Sequence, residues 1–339
     1  MATSALSYGS DESGMVYGYV FSPGACGRPI TSAEATAWLS DASSNEGHEF
    51  IWLHFSAANV ATEKWLKAHL GLPEAFFEAL AEGSRSTRIE RAEGTLVAVL
   101  NDVIYDFVVL ESSQVSTLWL SVDERRLISV RRQPLRSLDR LRTAVKAGEP
   151  FPSALSLLVH LLHDQAEVLT QIVRSTTAKV DEIEDSFLSG RLELKRAGLG
   201  GLRRDLVRLQ RLLAPEPTAL FRLLNHPPQW TKEPDTLELR HSTEEFSVAI
   251  RDMAGLQERI KLLQEEIASR ISEQTNRSVF VLTAVTVLAL PINMIAGLFG
   301  MNVGGVPLAQ HAQGFWIVVA LVTAFTAAAA WIAFRRRVG

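Results

Sequence analysis

The sequence predicts an α+β membrane protein: a mixed α/β body, then a helical stalk, then two membrane-crossing helices towards the C-terminus. Three observations predict it. Short runs rich in Val, Ile and aromatics alternate with helical stretches over residues 1–150. Apolar residues recur every three or four positions from Phe246 to Ile271. Two stretches without a charged side chain follow, Ser278–Phe299 and Phe315–Phe334. Each has about 20 residues, enough to cross a hydrocarbon core of about 30 Å as a helix.

In the body, strands are expected at Met15–Phe21, Phe50–Phe55, Thr95–Phe107, Val115–Val122 and Arg126–Arg131. Helices are expected at Ser32–Leu39, Ala61–Leu70, Pro73–Ala81 and Pro134–Lys146, with Pro73 and Pro134 suited to a first turn. The strand order is open. From Pro152 the pattern turns helical: Leu155, Leu158, Leu162, Val168, Leu169, Ile172 and Val173 lead on to Phe187. A second helix is expected over Glu193–Leu213, broken by Pro215 and Pro217, and a short third over Thr218–Leu224. His226-Pro227-Pro228 reads as a turn.

Phe246, Ile250, Met253, Leu256, Ile260, Leu263, Ile267 and Ile271 alternate by three and four, the repeat of helices packed along a common seam. Stalk and first span therefore read as one helix from Asp235 to Phe299, roughly 95–100 Å long at about 1.5 Å per residue. Such a stripe needs partners, either the two preceding helices or further copies of the chain. The expected divisions are residues 1–150 for the body, 151–277 for the stalk, 278–299 for the first span, 300–314 for a connecting loop, 315–334 for the second span and 335–339 for a basic tail.

Composition narrows the class. Hydrophobic content is 47%, concentrated after residue 278, and a net charge of −4 argues against a nucleic-acid surface. The single cysteine, Cys26, excludes an internal disulfide and a thiolate metal cluster, and fits a reduced, cytoplasmic body. Met1 to Ser13 lack an apolar run of signal-peptide type, so targeting is expected to fall to the C-terminal spans. Arg270 and Arg277 precede the first span, Arg335, Arg336 and Arg337 follow the second, and the loop between carries no Lys or Arg. Positive charge stays inside, so both termini are expected in the cytoplasm and the loop outside. No phosphate loop or Ser/His/Asp grouping is evident, and Gly198-Leu199-Gly200-Gly201 lacks the strand a nucleotide fingerprint requires. An enzyme is therefore not expected.

If the first span lines a pore, one stripe of it should tolerate water. Steps of three and four from Asn276 reach Val279, Thr283, Thr286, Leu290, Asn293 and Gly297. An unpartnered amide in hydrocarbon costs on the order of a few kcal/mol, so Asn293 faces either a polar lumen or an interhelical partner. Leu290, Leu282 and Val279 are candidate apolar constrictions. Pro291 is expected to kink the span. Beyond it, Gly300-Met301-Asn302 opens an uncharged turn, continued by Val303-Gly304-Gly305-Val306-Pro307.

Gly300-Met301-Asn302 at the end of the first of two C-terminal spans resembles the signature of the CorA family of divalent-cation transporters. The following Gly-Gly-Val-Pro resembles the ZntB-type zinc-transporting branch more than the magnesium branch. The likeness extends back through Glu273-Gln274-Thr275-Asn276-Arg277 and Leu290-Pro291. It is strong over about the last 110 residues and holds in outline before them. The resemblance implies a cytosolic α/β/α funnel domain, a symmetric homopentamer in the cell inner membrane, and a pore lined by the first span. Gly300, Met301 and Asn302 would then form an outer selectivity ring, with Met301 packed beneath the loop. It implies proton-coupled uptake of hydrated Zn2+, with Cd2+, Ni2+ and Co2+ as chemically related cargo and no cofactor. A Mg2+/Co2+ channel, zinc efflux and a membrane-tethered scaffold are the alternatives.

Zinc prefers His, Cys and carboxylate, none of which occurs in either span. His311 in the loop is a candidate metal or proton group, and Glu273 just before the span is a second proton candidate. His160, His163, Asp164 and Glu167 stand at i, i+3, i+4 and i+7, which places zinc-type ligands on one helical face. Asp181, Glu182, Glu184 and Asp185 form an acidic patch that either collects cations or is a solvated face.

Overall fold

The computed structural model describes residues 9–40, 49–83, 87–105, 114–189, 196–301, 307 and 311–335. The chain divides into two compact units, Met1–Leu262 and Leu263–Gly339.

The first unit is built on one seven-stranded sheet. Its strands are β1 (Met15–Phe21), β2 (Arg28–Ile30), β3 (Phe50–Ser56), β4 (Arg88–Ala92), β5 (Thr95–Val103), β6 (Val115–Val122) and β7 (Arg126–Arg131), in the order β2-β1-β3-β7-β6-β5-β4. Every pairing is antiparallel except β3 with β7. The β3–β7 register sets Leu53 opposite Ile128 and Phe55 opposite Val130.

Alternation along these strands feeds two cores. Phe50, Trp52, Leu96, Ala98 and Leu100 point to one face, while Ile51, Leu53, Phe55, Val97 and Val99 point to the other. The second face is covered by α1 (Ser32–Ser40), α2 (Ala61–His69) and α3 (Glu74–Glu82) through Ala35, Leu66, Phe76 and Leu80. The first is covered by α4 (Arg136–Ala147), α5 (Ala154–Leu188) and α7 (Pro215–Asn225) through Leu138, Leu141, Leu158, Leu162 and Leu220. The expected α/β/α layering is present, with hydrophobic residues buried on both sides of the sheet.

Several expectations are corrected. Pro73 is the N-cap of α3 and Pro134 precedes a β-bridge at Leu135, so neither lies in a first helical turn. Pro215 and Pro217 begin α7 rather than merely breaking the helix before it, α6 (Arg196–Leu213). A proline at the start of a helix lacks only an N–H that would be unpaired there anyway. Strands β2 and β4 add to the expected set; both are short edge strands, β2 holding a proline and β4 three charged residues, as edge strands often do. Strand β5 ends at Val103, while residues 106–110 lie outside the described residues. Residues 193–195, expected in the second stalk helix, also lie outside.

The last two helices are α8 (Glu233–Phe299) and α9 (Gly314–Arg335). Along α8, Phe246, Met253, Leu256, Ile260, Leu263 and Ile267 are buried, and Ile250 and Ile271 half-buried, as the repeat requires. Helix α8 runs through Pro291 without interruption. Among the described residues, α8 is the one helix long and apolar enough to cross a membrane, with a window of mean hydropathy 2.3. Among the described residues the apolar part of α9 covers Gly314–Ala328.

Candidate functional site

At the end of α8, Asn276, Val279, Leu282, Thr283, Thr286, Leu290, Asn293 and Gly297 are all exposed in the single chain. The Thr286 hydroxyl donates to Leu282 O at 2.9 Å, so its donor is satisfied within the helix. A second row differs: Ala284, Leu288, Pro291 and Ile295 are half-buried. At about 100° per residue, this row and the row through Asn276, Thr283, Thr286 and Asn293 point roughly 150° apart. The polar stripe therefore lies on the side of the helix away from its half-buried row. Helix α9 carries a half-buried row of its own at Val318, Val322 and Thr326.

Gly300 N donates to Ala296 O at 2.9 Å and closes the last turn of α8. Met301 is 52% exposed in the single chain, and the loop beneath which it is expected to pack lies outside the described residues. Asn302, with 303–306, 308–310 and the arginines at 336 and 337, lies outside the described residues. His311 is exposed, and its carbonyl accepts from Gly314 N at the start of α9. Glu273 is exposed on α8.

The helical face carrying His160, His163, Asp164 and Glu167 divides in two. His160 turns to Glu149, with Nδ1 3.5 Å from Oε1, and its ring meets Phe151 edge-on. Its Nε2 stands 3.5 Å from Asp164 Oδ2, which is buried and has no hydrogen-bond partner. Burial pushes the Asp164 carboxyl up to about 7 and the His160 imidazole down. His163 and Glu167 instead meet side chains of other helices: His163 Nδ1 donates to Glu245 Oε2 at 2.9 Å, and Arg140 Nη1 to Glu167 Oε2 at 3.0 Å. The acidic patch is partly neutralised, since Arg259 lies 2.7 Å from Asp181 and 2.5 Å from Glu184.

Other polar groupings gave no sequence signal. Glu216 is wholly buried, and its Oε1 accepts from Asn101 N at 2.6 Å. Gln165 Nε2 donates to Glu216 Oε2 at 2.9 Å and to Asn101 O. Burial pushes the Glu216 carboxyl well above the usual carboxylate range, and its two oxygens tie α5 and α7 to β5. Asp102 accepts from Val103 N, Ser137 N and Ser137 Oγ, and burial pushes it up to about 6. These partners sit up to 115 residues apart, beyond any local pattern. Gly198 and Gly201 lie within helix α6, away from any strand-to-helix phosphate turn.

A family model described as CorA-like Mg2+ transporter protein matches residues 47–336. The chain belongs to that family. Among relatives of this CorA-family chain, the divalent cation transporter CmaX of Pseudomonas aeruginosa is 27% identical over 328 residues, covering 96% of the chain and 97% of CmaX. The zinc transport protein ZntB of Pectobacterium atrosepticum is 24% identical over 281 residues, covering 83% and 85%. The full-length CmaX structure superposes with a TM-score of 0.80 at 26% identity, over 96% of this chain and 98% of that one. The CorA magnesium transporter of Methanocaldococcus jannaschii shares the fold, with a TM-score of 0.73 at 20% identity over 94% and 97%. These homologues of the CorA-family chain are divalent cation transporters, not enzymes.

Proposed function

We propose that this chain carries divalent cations across the cell inner membrane, through a pore formed by the apolar end of α8 in a homopentamer. The observation that carries the reading is the stripe of Asn276, Thr283, Thr286 and Asn293, exposed on the side of α8 away from its half-buried row. Copies arranged around an axis would turn that stripe inward and present rings of amides and hydroxyls to a hydrated ion. Val279, Leu282 and Leu290 would supply apolar constrictions that gate by dewetting. Helix α9 would form the second span, with Asn302 at the outer mouth, both termini in the cytoplasm, and divisions near residues 150, 277, 299, 314 and 334.

Neutral amides hydrogen-bond the water shell of a dication without stripping it, so passage of the hydrated ion follows from the chemistry. Zn2+ is the proposed cargo, with Cd2+, Ni2+ and Co2+ alongside, supported by the ZntB relatives and the Gly-Gly-Val-Pro sequence. Uptake is proposed to be proton-coupled, with Glu273 and His311 the titratable groups that flank the spans. A Mg2+/Co2+ channel is the second reading, favoured by the family model itself.

The test is flux into proteoliposomes loaded with metal-sensitive dye, with Zn2+ and Mg2+ side by side and with or without an inward proton gradient. Zn2+ uptake accelerated by the gradient is expected. Mg2+ uptake without gradient dependence would select the second reading. Asn302→Ala is expected to cut flux at least about tenfold with assembly intact, and undiminished flux would remove the selectivity ring.

A further inference from the structure

Helices α5 and α8 are joined where they begin. Ser153 caps α5: its hydroxyl accepts from Ser156 N at 2.9 Å and donates to Asp235 Oδ2 at 2.9 Å, in the first turn of α8. Between these helix starts and one end of the sheet opens a cavity of about 470 Å3. Phe50, Phe151 and Trp230 give it aromatic walls, and Phe50 and Phe151 are buried. Its charged lining is three carboxylates, Glu49, Glu124 and Asp235, against two cations, Arg125 and Lys232. Two of these five are held by the body itself. Glu49 Oε1 accepts from Ser22 Oγ at 2.6 Å, and Arg125 lies over the Trp38 ring, 4.9 Å from its centroid, while its Nε donates to Glu49 O at 3.2 Å. Glu124, Asp235 and Lys232 remain to meet a ligand, two acids against one base.

We propose that this cavity binds an organic amine, a primary ammonium on an apolar or aromatic body, at the joint between the sheet and the starts of α5 and α8. Asp235 carries the argument. It is 7% exposed, and a buried carboxylate is costly unless donors or a cation answer it. The Ser153 hydroxyl answers one of its oxygens, and an ammonium between Asp235 and Glu124 would add charge-assisted hydrogen bonds to both acids. The aromatic walls suit the same ligand twice over, since their faces attract a cation and their area takes up an apolar body. Among the described residues no His, Cys, Asp and Glu side chains are grouped to hold a metal ion, so the cation that fits is organic. Lys232 is exposed, and its flexible stem lets its own charge turn to water. A bound amine would touch the sheet and both helix starts at once. The site lies outside the proposed pore and stands whether or not the transport reading does.

Phenethylamine titrated calorimetrically into the full-length chain in detergent, at fixed ionic strength, tests the site. One molecule per chain is expected to bind, and hydrocinnamate, which carries a carboxylate on a similar body, is expected not to bind at the same concentrations. Asp235→Asn keeps an acceptor for Ser153 and removes the charge, and is expected to weaken binding at least about tenfold. Glu124→Gln, in the exposed turn between β6 and β7, is expected to weaken it in the same direction and serves as a second variant should Asp235→Asn misfold. Asp185→Asn, which removes an exposed acid of α5 outside the cavity, is expected to leave binding unchanged. A parent that does not bind phenethylamine, hydrocinnamate bound as tightly, or binding unaltered in both cavity variants would overturn the site. So would an equal loss in Asp185→Asn, which would mark general attraction to an acidic surface.

Discussion

Asp164 shows how one side chain sets a pH dependence for the soluble body. Its Oδ2 is buried without a hydrogen-bond donor, and burial pushes the carboxyl up to about 7. The unfolded chain releases that proton near pH 4. Between about pH 4 and 7 the folded state therefore binds more protons than the unfolded one, and stability falls as pH rises through that window. Asp102, pushed up to about 6, acts in the same direction. Asp164→Asn keeps the shape and removes the charge. The Tm of the full chain in detergent is expected to rise at pH 8, by the equivalent of about 1–2 kcal/mol, and to match the parent at pH 4. A variant less stable than the parent at pH 8 would contradict this account. The sequence placed Asp164 on a helix beside three candidate ligands. It carried no sign that Asp164 would be buried while Glu167 stayed exposed, because that depends on where α4 and the sheet meet α5.

At the scale of elements, α8 was the most legible feature. Its three-and-four spacing, interrupted by no Gly or Pro except Gly255 before Pro291, and its charge-free end are all local, and local patterns survive in the structure. The short strands β2 and β4 were illegible, since runs of three and five residues at a sheet edge, with one and three charges, are too short to show a pattern. The partners of Glu216 were equally hidden, because Asn101 and Gln165 reach it only through the fold. Two measurements address α8 itself. Phe246 is wholly buried, and Phe246→Ala is expected to cost about 3–5 kcal/mol of stability in denaturant unfolding. Asn293→Cys, with Cys26 replaced, is expected to react with a small aqueous thiol reagent under transporting conditions; complete inertness would place Asn293 against another helix.

For the whole molecule, the family follows from most of the chain, whereas the number of copies rests on no local pattern. A repeat of three and four asks for packing partners without counting them. Mass measurement of the detergent-solubilised chain is expected to give five copies, and a monomer or dimer would sink the pore reading. The sheet itself carries one further consequence. Strand β3 sits between β1 and β7, and contacts such as His54 with Ser129 join residues 75 apart. Until β7 has left the ribosome, β3 has one unsatisfied edge, and until α7 has followed, Glu216 cannot close over β5. Non-local pairings of this kind form slowly. The apolar end of α8 is made only after all of them. The body thus has the time of its own translation in which to fold, and membrane insertion begins on a chain whose slowest pairings already have their partners.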